Sequence, residues 1–187
     1  MQKKAGVIGL GLIGGSIGLA LREEGWEVIG SDNDTSRVHE ALDMGAINDE
    51  GSMKDCEIVF VATPVASIAD SVHRAFQEGA KSVTDVGSVK GSIVKQVEDT
   101  RFIPGHPMAG SEQEGIRGAR ADLFRGAAWV LTPKDGSDDS CFEIVQSAGR
   151  VIDDQRPSPL LVRRRYGSWL GSDRTDACDG RRDPTFL

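Results

Sequence analysis

Two stretches of the chain hold residue types that could do chemistry. In VIGLGLIGGSIGLAL, Gly9, Gly11 and Gly14 form G-x-G-x-x-G directly after a β-branched run and at the start of an amphipathic one. In GHPMAGSE, residues 105 to 112, His106 stands between a glycine and a proline in a chain with 3 histidines. The glycine pattern is that of a phosphate-binding turn. Gly9 makes the tight turn, Gly11 removes a side chain where backbone must approach a pyrophosphate, and Gly14 lets helix and strand pack closely. Leu12 and Ile13 fall in the first helical turn, where unpaired N–H groups and the positive end of the helix dipole face the phosphates. An imidazole can exchange a proton near neutral pH. By residue type alone His106 reads equally well as a solvated turn residue, so its surroundings must decide.

An acidic partner strengthens the glycine pattern. The second apolar run ends in GSDND, placing Asp32 18 residues after Gly14, where a carboxylate accepts hydrogen bonds from an adenosine ribose. The competing role for this acidic cluster is local, with Asp34 or Thr35 capping the next helix. A carboxylate at Asp32 repels a 2′-phosphate, so the expected cofactor is NAD rather than NADP. Thr63 and Pro64, at the end of VFVATP, lie where the middle of such a cofactor would pass, or simply terminate a strand.

The elements that must position these residues are legible from periodicity. Strand-like runs cover 5–10, 26–31, 57–63, 82–86, 101–104 and 127–132. Between them Ile13, Ile17, Ala20 and Leu21 follow i, i+4, i+7, i+8, as do Ile68, Val72, Ala75 and Phe76, the spacing of one buried helical face. Val38, Ala41 and Leu42 repeat the pattern. Gly25, Gly45 and Gly79 stand where these helices should stop. Near-continuous apolar strands alternating with helices predict an α/β fold, a doubly wound parallel sheet of Rossmann type. Its ligands sit outside the carboxyl ends of the strands, where DVGSVKG (85–91) and PGHPMAGSE (104–112) both begin.

Composition narrows the function classes. A net charge of -7 with pI near 5.0 disfavours nucleic acid. Apolar runs are broken well before membrane-spanning length, and no signal-peptide pattern opens the chain, so the expected setting is cytoplasmic, with no membrane partner. Cys56, Cys141 and Cys178 lack metal-ligand or disulfide spacing and read as free thiols; no metal site is expected. His39 and His73 lie beside apolar helix stripes and are given no role.

GLGLIGGSIGLAL, ATPV, DVGSVKG and GHPMAGSEQEG, in this order and at these intervals, resemble the N-terminal domain of the prephenate dehydrogenase family, over residues 5 to about 153. The resemblance implies NAD-dependent oxidative decarboxylation of prephenate to 4-hydroxyphenylpyruvate in tyrosine biosynthesis, with arogenate as the substrate of close relatives. It implies that His106 is the catalytic histidine and that Ser88 hydrogen-bonds near the same substrate hydroxyl. Ser88 could otherwise cap the helix marked by Val89, Ile93 and Val97. Glu112 matches a glutamate at the entrance of the substrate pocket, with Ser111 beside it; Ser111 and Glu114 could equally form a capping box.

Family members continue into a helical second domain that carries further substrate ligands and forms the dimer, and its motifs are absent here. Residues 1–153 are therefore read as the dinucleotide-binding domain. Residues 154–187 are read as an aperiodic tail, disordered or out of frame, in which every basic residue is arginine. Without the second domain the cleft has one wall, and weak NAD binding with little or no turnover is expected. The alternative is a non-catalytic NAD-binding fragment.

Overall fold

The computed structural model describes residues 2–110, 113 and 115–153, and the backbone of 161–164 and 168–171. β1 (Lys4–Ile8), β2 (Glu27–Ser31), β3 (Asp49–Glu50), β4 (Ile58–Val61) and β5 (Val83–Asp85) form a parallel sheet in the order β3-β2-β1-β4-β5. Successive strand residues point to opposite faces, and the two faces feed two separate cores. Ala5, Val7, Val28, Ile58 and Phe60 pack into one core, whereas Ile8, Ile29, Val59 and Val61 pack into the other. Burial on both sides is why these strands read as unbroken apolar runs.

α1 (Leu12–Glu23), α2 (Thr35–Asp43) and α5 (Asp139–Asp153) contribute to the first core, and α3 (Ile68–Glu78) and α4 (Gly91–Gln96) to the second. The expected faces of α1 and α3 are inward: Ile17, Ala20, Leu21, Ile68, Val72 and Ala75 are buried, with Ile13 and Phe76 packed at the edges. Each buried leucine or isoleucine of this kind contributes roughly 1.5–3 kcal/mol of apolar transfer energy. On α2, Val38 and Ala41 are buried but Leu42 is exposed. Gly25, Gly45 and Gly79 take φ of +78°, +72° and +105° just past their helices, a conformation that terminates a helix without strain only at glycine.

Two strand expectations need correction. Residues 101–104 make only a single bridge, Phe102 to Val83; the strand lies further on, as β6 (Gly105–Pro107). β7 (Trp129–Leu131) pairs with β6 antiparallel, so it does not extend the parallel sheet. Met108 N–H donates to the Ala128 carbonyl and Thr132 N–H to that of Pro104, leaving Pro107 at a position whose missing N–H β7 does not use. β6 is also the edge of its sheet, β6-β7-β8-β9, where a proline interrupts no further pairing.

α5, unassigned in the sequence reading, starts at an Asp138 carboxylate that accepts from Cys141 N–H at 2.9 Å. The tail lies mostly outside the described residues, but two short strands fall within it: β8 (Leu161–Arg164), parallel to β7, and β9 (Ser168–Gly171), antiparallel to β8. Runs of four residues are too short to display a period.

Candidate active site

A row of hydrogen bonds crosses the carboxyl edge of the parallel sheet. Gly9 N–H donates to Ser31 O at 2.8 Å, Ala62 N–H to Ile8 O at 2.7 Å, and Val86 N–H to Val61 O at 3.2 Å. The His106 ring closes the row, its Nδ1 2.9 Å from Val86 O. Along the edge therefore come Asp32 after β2, the glycine turn after β1, Thr63 and Pro64 after β4, the 85–91 loop after β5, and then His106. Strand order reverses between β1 and β4, which opens the crevice where such sheets bind ligands. From β2, which ends just before Asp32, to β5 is three strand spacings, roughly 14 Å, a span suited to an extended dinucleotide.

Each glycine of the turn has a distinct cause. Gly9 has φ +94°, and a Cβ there would lie 2.6 Å from Ala62 O, so β1 and β4 chain ends meet too closely for a side chain. A Cβ on Gly14 would lie 1.9 Å from Gly9 O, which makes Gly14 the close-packing glycine between helix and turn. Among the described residues, nothing beyond its own chain neighbours and helix backbone lies within 4 Å of a Cβ on Gly11. Its lack of a side chain serves no internal contact and leaves open space against the backbone. Gly11 is also the N-cap of α1; among the described residues no side chain caps that terminus, and the first turn holds no acid. The Thr63 hydroxyl is buried without a hydrogen-bond partner among the described residues. An open glycine, an uncapped helix terminus and an orphaned hydroxyl fit a bound pyrophosphate.

Asp32 and Asp34 divide the two roles weighed for the acidic cluster. Asp34 caps α2, accepting from Ser36 N–H at 2.9 Å; the Ser36 hydroxyl first, and then that amide, hold its carboxyl below the ordinary value. Asp32 instead braces the glycine turn, accepting Leu10 N–H at 2.7 Å on one oxygen and Asp34 N–H at 2.9 Å on the other. Arg37 lies 3.9 Å from it. A carboxylate oxygen accepts more than one hydrogen bond, so Asp32 retains capacity for a ribose.

On the other flank, a carbonyl only accepts, so the contact with Val86 O requires the proton on His106 Nδ1. In the neutral ring the lone pair then sits on Nε2. Gly105 is small for a reason of its own: a Cβ would lie 2.8 Å from both Thr84 Oγ1 and Trp129 Nε1, two buried polar atoms unpartnered among the described residues. Ser88 is exposed and does not cap α4, which starts at Gly91 with Lys90 as its N-cap. His39 and His73 are exposed on α2 and α3, away from this edge. Ser111, Glu112 and Glu114 lie outside the described residues.

DVGSVKG also carries two charged residues, Asp85 and Lys90, to which the motif reading assigns no role. Asp85 is fully buried and salt-bridged to Lys90, and it also accepts Gly87 N–H at 3.0 Å and Gly105 N–H at 3.2 Å. Burial pushes the Asp85 carboxyl up and the Lys90 ammonium down, each opposed by the charge of the other. The available signal was an acid and a base five residues apart in a glycine-flanked loop that follows a buried strand. A shallow recess lined by Ala20, Glu23, Asp122, Arg125 and Ile152 lies at the opposite end of α1, away from this row.

Fold and edge together define a dinucleotide-binding α/β domain of Rossmann type. The family model for the prephenate dehydrogenase nucleotide-binding domain matches residues 17–152, and the chain belongs to that family. The match starts beyond the glycine turn, so the reading of the turn rests on its own geometry. Prephenate dehydrogenase of Bacillus subtilis is 35% identical over 150 residues, covering 72% of this chain and 40% of the relative. Arogenate dehydrogenase of Synechocystis superposes with a TM-score of 0.73 at 30% identity, over 86% of this chain and 59% of that one. Prephenate dehydrogenase of Aquifex aeolicus, in complex with hydroxyphenyl propionate and NAD+, superposes with a TM-score of 0.76 at 25% identity, over 88% and 60%. The chain thus spans well under two thirds of these relatives.

Proposed function

We propose that this chain is the NAD-binding half-site of a prephenate or arogenate dehydrogenase, with His106 as the group that manages the proton of the substrate hydroxyl. The observation that carries the reading is the Nδ1 contact with Val86 O, which leaves an Nε2 lone pair at the carboxyl edge beside the proposed nucleotide crevice. The first turn of α1, Gly11 and Thr63 would hold the pyrophosphate, and Asp32 a ribose. NAD, when bound, supplies the hydride acceptor for the ring carbon that bears the hydroxyl. As that C–H bond breaks, the hydroxyl oxygen becomes carbonyl-like and its proton is drawn to His106 Nε2. Loss of CO2 then returns the electrons of the ring–carboxylate bond to the ring and on to oxygen. The oxygen recovers the proton from His106 as a phenol, so proton and electrons balance. In this reading Ser88, exposed on the neighbouring loop, donates to the same hydroxyl, and Glu112 is assigned to the pocket entrance with Ser111.

A second reading rests on the crevice alone: Gly11, the first turn of α1 and Thr63 make a pyrophosphate cradle that needs nothing from His106. In that reading it binds NAD without turning over substrate. Among the described residues no helix is long and apolar enough to cross a membrane. Cys56 and Cys141 are buried free thiols, in keeping with a cytoplasmic setting. We take the nucleotide-binding domain to end with α5 at Asp153.

The test is calorimetric NAD binding to the purified chain, followed by NADH formation with prephenate and then with arogenate. Binding with turnover that His106→Asn abolishes supports the enzyme, and binding without turnover supports the second reading. Absence of NAD binding overturns both.

A further inference from the structure

The structure assigns Asp85 a positioning role: its buried carboxylate clasps the backbone on both sides of the His106–Val86 contact and so holds the imidazole in the Nδ1–H tautomer. One oxygen accepts Gly87 N–H at 3.0 Å, immediately after Val86, and also takes the Lys90 ammonium. The other accepts Gly105 N–H at 3.2 Å, immediately before His106. The carbonyl that orients the ring and the residue that bears the ring are thereby tied to one rigid group at the end of β5. Space around the clasp is tight, since a Cβ on Gly87 would lie 2.6 Å from Ile68 Cδ1 and 3.1 Å from the Asp85 carboxylate. A buried ion pair contributes little net stability compared with apolar residues of equal volume. What it supplies here is two acceptors, aimed at two amides from separate segments of the chain.

Asp85→Asn replaces one acceptor oxygen with an NH2 group that faces either a backbone N–H or the Lys90 ammonium, so one side of the clasp opens. The kinetic consequence rests on the proposed role of His106; the structural one does not. The readout is therefore ring nitrogen NMR of His106 in the substrate-free, isotopically labelled chain, above the pH at which the ring is protonated. The wild-type chain should show the Nδ1–H tautomer alone, and Asp85→Asn a mixture with Nε2–H. Where turnover is measurable, kcat should fall roughly a hundredfold, the cost of a misplaced catalytic group, with KM and NAD affinity little changed. If the single variant does not fold, Asp85→Asn with Lys90→Met removes both charges, leaves no unpaired ion buried, and should show the same mixture.

A wild-type ring in the Nε2–H form, or a folded variant that keeps the wild-type tautomer, overturns the role. So does a variant whose NAD affinity falls in step with its tautomer purity, which would make Asp85 a general scaffold residue. A wild-type chain that turns over neither prephenate nor arogenate refutes catalysis by His106 but leaves the tautomer result decisive for Asp85.

Discussion

Gly11→Ala and Gly14→Ala, three residues apart in one turn, should fail in different ways. At Gly14 the new Cβ would lie 1.9 Å from Gly9 O and 3.1 Å from Val7 Cγ1, where real Cβ contacts essentially never fall under 3.0 Å. Helix and turn must separate by about 1 Å, backbone against backbone, and overpacking of this kind costs about 1–3 kcal/mol. The contact is at the severe end, and alanine recovers about 1 kcal/mol of helix propensity. The net loss is about 2 kcal/mol, or roughly 4–8 °C in Tm for a chain of this size. At Gly11 the new methyl meets nothing within 4 Å among the described residues, and the internal cost expected is that of alanine at an N-cap, roughly 0.5–1 kcal/mol. That methyl nevertheless occupies the space proposed for the pyrophosphate, so NAD affinity should fall about tenfold or more, at least ~1.4 kcal/mol. Thermal melts and calorimetric titration with NAD read both effects. Gly11→Ala binding NAD as tightly as wild type would refute the placement of the phosphates. Gly14→Ala melting within a degree of wild type would refute the packing argument.

Asp32→Asn keeps an acceptor for Leu10 N–H but removes the charge, so NAD affinity should drop while any affinity for NADP rises relative to it; equal NAD binding by both proteins would leave Asp32 only its bracing role. The buried thiols of Cys56 and Cys141 are each pushed up to about 11 by desolvation, so only about one in a thousand is thiolate at pH 8. Peptide mass spectrometry after brief alkylation should find both unmodified in the native chain and modified after denaturation, and rapid native labelling would contradict their burial. Hydrogen bonding to Arg101 holds the Asp99 carboxyl below its ordinary value. Its folded form therefore binds a proton less readily than its unfolded form, and its contribution is complete above about pH 4 and lost as pH falls through the folded value. Melts of wild type and Asp99→Asn across this range should converge as the pH drops, and a constant gap would exclude the linkage.

Order along the chain was enough to specify the α/β class, the glycine turn, the helix faces of α1 and α3, and the glycine stops after three helices. Each of these depends on residues within one or two turns of each other, where steric rules and periodicity act. The sequence also marked His106 and Asp32, but not what they touch. That His106 lies in an edge strand depends on pairing with β7 more than twenty residues away, and the tautomer of its ring on a carbonyl at the end of β5. The spacing of Asp85 and Lys90 could signal a charged pair, but not the link to His106, because the amide of Gly105 reaches Asp85 only when β5 and β6 pack. Local sequence sets backbone preference and burial pattern. Convergence of polar atoms from distant segments is decided by tertiary packing, since only the folded sheet edge sets the distances between them.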